Sequence, residues 1–118
     1  MTDRASTATS SAALMPRMLH HAAYVTQDAA ATVDFYSRIL QMDFVATVMD
    51  DRVPSTGEPF PYLHLFFRMA DGSTFAFFEC PSMGPPAPAS HPGYDVFNHT
   101  ALAVASKEEV DAWTARLR

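Results

Sequence analysis

The chain has 118 residues, 48% of them hydrophobic and 18% charged, with 8 basic against 13 acidic residues and a formal charge of −5. That length suits one domain around one core, and no apolar run approaches the ~20 residues that cross a bilayer. The acidic balance leaves no basic stripe to neutralise phosphates, which argues against nucleic acid and membrane as partners and for a small-molecule substrate.

Residues 1–17 are rich in Ser, Thr and Ala and hold no long apolar stretch, so a disordered N-terminal tail is expected rather than a signal peptide. The folded domain is expected over residues 18–118. Met18 to Thr26 reads as a strand, and Asp28 then offers an N-cap to a helix whose apolar positions Ala29, Val33, Tyr36 and Leu40 recur at helical spacing. Met42 to Met49 predicts a second strand, and Asp50 to Pro61, with Pro54, Gly57 and Pro59, a loop. Tyr62 to Met69 and Thr74 to Cys80 predict two strands joined around Asp71-Gly72, a pair that favours a tight antiparallel hairpin. These elements fill a first βαβββ module over residues 18–80. Cys80 is the chain's single cysteine, so no internal disulfide forms and a cytoplasmic setting is expected.

Residues 81–95 carry five prolines and two glycines, ending with Pro92 and Gly93, and predict a connector without regular structure. Phe97 to Val104 predicts another strand. Ser106 with Glu109 then makes the capping box of a helix that should bury Val110, Trp113 and Leu117, with Glu108 and Glu109 at its start and Arg116 and Arg118 at its end matched to the helix dipole. Residues 96–118 therefore read as the start of a second module.

Placing His99 on His21 (99 − 21 = 78) also superposes Ala101 on Ala23, Ser106 on Asp28, Trp113 on Phe35 and Arg116 on Arg38 without a gap. Each histidine precedes a helix N-cap by seven residues, the mark of a duplicated strand-helix unit. Along a strand His21 shares its face with Ala23 and Val25, and His99 with Ala101 and Ala103. Glu79 ends a ladder of Phe75 and Phe77, where an unpaired carboxylate is costly and calls for a cation. Imidazole and carboxylate together suit a divalent ion such as Zn, Ni, Co, Mn or Fe, and two histidines with one carboxylate leave positions open for substrate. His21, Glu79 and His99 are thus the candidate metal ligands, while His20, His64 and His91 read as ordinary core or surface residues, His20 facing away from His21.

These residues resemble the vicinal oxygen chelate superfamily, which includes glyoxalase I, extradiol dioxygenases, and fosfomycin and bleomycin resistance proteins. HAAYVTQDAAATVDFYSRILQM, from His21 to Met42, looks like the family's first strand and helix. STFAFFEC places Glu79 where glyoxalase-like members carry a metal-binding Glu, and FNHTALAV places His99 at the His that opens the second module. The resemblance implies an α+β fold of paired βαβββ modules around a metal cleft. It also implies a substrate held through two adjacent oxygens, with Glu79 as catalytic base. Lyase or isomerase chemistry through a metal-stabilised enediolate leads, extradiol ring cleavage is the alternative, and a metal-free binding protein of the resistance type stands in a different class. Gln41 occupies a position where the family usually has Gly. The second module's last three strands are missing from these residues, and the counterpart of Glu79 would fall at roughly position 157 (79 + 78). A truncated domain, or one completed by a partner chain as a homodimer, is therefore expected.

Overall fold

The computed structural model describes residues 14–118, so the expected tail lies outside the described residues up to position 13. The chain divides into two compact units, the first ending at Ser82 and the second spanning Met83–Arg118.

In the first unit, β1 (His21–Thr26) leads into α1 (Ala29–Val33), which continues as a π-helical segment over Asp34–Ile39. Three strands follow: β2 (Asp43–Arg52), β3 (Pro59–Arg68) and β4 (Thr74–Glu79). They form one sheet in the order β1-β4-β3-β2, with β1 parallel to β4 and the other neighbours antiparallel. This is the βαβββ arrangement of an α+β fold. Asp28 caps α1 as its spacing predicts, its Oδ1 accepting from the Ala31 N–H at 2.9 Å. The hairpin turns at Asp71-Gly72, where Gly72 takes φ +88° and Asp71 Oδ1 accepts from the Ser73 N–H at 2.9 Å.

Side-chain alternation divides the sheet. Phe75 and Phe77 on β4 and Leu65 and Phe67 on β3 point to the helix side and, with Met42, form the buried core. Tyr36 lies over them, its ring centre 4.7 Å from Phe77 and 5.5 Å from both Phe67 and Phe75. Such clusters bury large apolar areas and add roughly 0.5–1.5 kcal/mol per ring pair. Phe66 and Phe78, one position out of step, face the opposite side and are half-buried.

Four local expectations are corrected. The first helix is α-helical only to Val33, and beyond it the Leu40 N–H bonds the Phe35 carbonyl five residues back. The loop expected over Asp50 to Pro61 shrinks to residues 53–58, because β3 accepts Pro59 and Pro61 where it runs beyond the end of β4 and has a ladder on one side only. The connector contains a 3-10 turn (Pro81–Met83) and a helix, α2 (Pro92–Phe97). Proline suits the first helical turn, which needs no N–H from it, and His91 caps this one. Finally, residues 98–104 form no strand, since a strand needs a ladder and none pairs with them among the described residues.

In the second unit the last helix, α3 (Lys107–Arg116), starts as its capping box requires: Ser106 Oγ accepts from the Glu109 N–H, and Glu109 Oε2 accepts from the Ala105 N–H. Val110 and Leu117 are half exposed rather than buried.

Gln41 is the one described non-glycine residue with positive φ, +61°. It follows the π-helical segment, where the Met42 N–H returns to the Tyr36 carbonyl and closes the helix. This accounts for the glycine usual at the position in the resembled family, because a side chain in this conformation costs roughly 1–2 kcal/mol. Gln41→Gly should therefore be at least as stable as the wild type, and Gln41→Val less stable by about 1–2 kcal/mol in urea unfolding. Equal midpoints for all three would show that the turn bears no strain.

Candidate functional site

His21 opens β1 on the sheet face away from α1. In register it stands beside Thr74 of β4, and the same face carries Ala76 and Phe78 of β4 and His64 and Phe66 of β3. The His21 ring centre lies 5.4 Å from Phe66 and 6.0 Å from His64. His20, expected to face away, instead brings its Nδ1 to 2.8 Å from His21 Nδ1. One of the two nitrogens carries the proton and the other accepts it, so this bond orients the His21 ring and leaves its Nε2 outside the pair.

His64 is the residue that sequence reasoning passed over. Its ring stacks on Phe78 at 3.6 Å between centres and 16°, and lies 4.1 Å from Phe66. Its Nε2 is buried and has no hydrogen-bond partner. An unpaired buried polar atom costs about 1–3 kcal/mol, so this is not the satisfied core histidine expected. The available signal was parity: His64 alternates with Leu65 and Phe67, which places it opposite the core.

Glu79 lies elsewhere. It pairs in register with Thr26, at the other end of β1 from His21, and five strand residues span about 16 Å at ~3.3 Å each. Parity also puts it on the helix face, where Oε1 accepts from the Ala29 N–H at 3.3 Å. A carboxylate at the first helical N–H is favoured by the helix dipole, so Glu79 ties β4 to the start of α1. The first unit therefore does not bring Glu79 to His21.

His99 belongs to the second unit, between α2 and α3. Its Nδ1 is 2.8 Å from the Phe97 carbonyl oxygen, which can only accept, so Nδ1 is the donor, and the matching neutral tautomer has its lone pair on Nε2. That tautomer is the one a metal-binding histidine uses. His91 is occupied structurally, with its Nδ1 accepting from the Gly93 N–H at 2.9 Å. Among the described residues no group of three or more His, Cys, Asp or Glu side chains is gathered as a metal site. Cys80 is half-buried, and burial, followed by the charge of Glu79, pushes its thiol up, away from a reactive thiolate.

Burial, and after it the neighbouring His21, hold the His64 imidazole below the usual histidine range. With a depressed folded pKa, the unfolded chain takes up the proton first as pH falls. Destabilisation thus begins below about pH 6.5, the unfolded value, grows until the folded pKa is passed, and is absent at higher pH. His64→Phe should therefore show a smaller fall in unfolding midpoint than the wild type between about pH 7.5 and 5, in thermal melts of metal-free protein. Parallel curves would show that His64 titrates alike in both states.

No described helix is long and apolar enough to cross a membrane. Among solved structures, the chain is similar to a mutant of the genomically encoded fosfomycin resistance protein FosX from Listeria monocytogenes, complexed with Mn(II) and 1S,2S-dihydroxypropylphosphonic acid. The identity is 21%, the TM-score 0.58, and the match covers 87% of this chain and 68% of that one. A monoclinic form of FosX from the same organism gives 23% identity and a TM-score of 0.56, covering 87% and 69%. Lactoylglutathione lyase from Agrobacterium tumefaciens gives 22% and 0.49, covering 86% and 69%. No curated protein matches the chain. The Glyoxalase/Bleomycin resistance protein/Dioxygenase family model matches residues 18–118, nearly the whole described fold, and the chain belongs to that superfamily.

Proposed function

We propose that the protein is a metal-dependent enzyme of this superfamily, acting on a small substrate that offers two neighbouring oxygens. The observation that carries this reading is the open sheet face. There His21 is oriented by His20 beside a second imidazole whose Nε2 is buried and unpartnered, a donor set that fits a divalent ion. The Mn(II) of the Listeria FosX structure supports a divalent ion as the class of cofactor.

His21 and His99 are the proposed imidazole ligands, each with the other ring nitrogen engaged in a hydrogen bond. Glu79 enters as the carboxylate of the set and as proton acceptor. It is the member the fold supports least, because it faces α1 and would have to release Ala29. A bound divalent ion supplies Lewis-acid polarisation of a substrate carbonyl. The chain's own residues do the rest. Phe66 and Phe78 flank the His64 ring, His20 holds the His21 ring, and a carboxylate removes a proton next to the carbonyl. Glyoxalase-like lyase or isomerase chemistry follows from that combination, in a cytoplasmic homodimer.

Elemental analysis of purified protein should find a divalent metal. His21→Ala and His99→Ala should each lose most of it, while His91→Ala keeps it. Metal retained in both of the first two variants would sink the assignment. Glu79→Gln with wild-type metal content would take Glu79 out of the set and leave the imidazoles in it.

A further inference from the structure

We propose that His64, on β3, is a ligand of the same ion as His21. The inference rests on the metal-dependent reading above and supplies the third protein ligand that Glu79 does not reach. Both imidazoles stand on the open face of one sheet, separated by β4, whose intervening residue on that face is Ala76. Its side chain is a single methyl group, the smallest that a chiral residue can place between the two imidazoles. Two imidazoles sharing an ion, with each nitrogen ~2.1 Å from it, have ring centres roughly 5–6 Å apart. The observed separation is 6.0 Å.

Two further features agree. The His64 ring is held between Phe78 and Phe66 and cannot turn away cheaply, which is the preorganisation a ligand needs. Its Nε2 is buried with no hydrogen-bond partner, a cost that coordination would remove. Glu79, in contrast, has its hydrogen bond already and lies on the other face.

The test is Co(II) titration of the full chain followed by absorption spectroscopy. His64→Phe keeps an aromatic ring and removes the donor, so it should remain folded by circular dichroism and weaken Co(II) binding at least about tenfold, as His21→Ala should. His64→Cys offers a thiolate at the same place and should gain a sulfur-to-cobalt charge-transfer band absent from the wild type, whose single thiol is Cys80. Wild-type affinity in His64→Phe, or no new band in His64→Cys, would remove His64 from the ion and leave His21 as a ligand. A wild-type chain that binds no Co(II) would overturn the metal reading and this inference together.

Discussion

Alternation along β4 is the constraint on which the remaining arrangement depends, because β4 is bonded to β1 on one side and β3 on the other. Its odd positions, Phe75, Phe77 and Glu79, face α1, and its even positions, Thr74, Ala76 and Phe78, face the opposite side. The parallel ladder passes this parity to β1 and sends His21 to the open face. The antiparallel ladder passes it to β3 and sends His64 the same way. A slip of one residue would exchange the two faces, so the core and the candidate site are specified by one register.

The two faces are built to different rules. The helix side is filled by Leu65, Phe67, Phe75, Phe77 and Met42, with Tyr36 as a lid. The open side keeps aromatic rings at its centre but places imidazoles among them. Burial of a polar nitrogen with no partner beside Phe66 and Phe78 is an unfavourable local arrangement in the metal-free chain. A protein whose stability is a small difference between large terms tolerates such a group where something else is gained from it.

Much of the first module was legible. Asp28 and the spacing of Val33, Tyr36 and Leu40 located α1 and its π-helical continuation, and Asp71-Gly72 with the runs on either side of it located the hairpin of β3 and β4. What was not legible depended on pairing. Which residues stand beside which across β1, β4 and β3 is set by hydrogen-bonded register, so His64 passed as ordinary and Glu79 as a neighbour of His21. The segment after Phe97 has a strand's composition, but composition supplies no ladder. The helix at Pro92 went unseen because proline density reads as irregular chain, while a single proline in a first turn is compatible with helix.

The competition between Glu79 and His64 for a place beside His21 turns on magnitudes. Releasing Glu79 from the Ala29 N–H would cost only about 0.3–1 kcal/mol, the usual worth of a carboxylate at a helix N-terminus. That is too little to hold it against an ion, since structural metal sites contribute on the order of 10 kcal/mol. Parity is the larger barrier. Turning Glu79 to the open face by shifting β4 would also turn out Phe75 and Phe77, now 7% and 8% exposed, at about 1.5–3 kcal/mol for each ring. It would also break the Tyr36 contacts that hold the helix to the sheet. His64 needs no such movement, because the register that builds the core already presents it. On this fold the carboxylate at position 79 is presented to the helix, and the imidazole that the register sets nearest to His21 across β4 comes from β3.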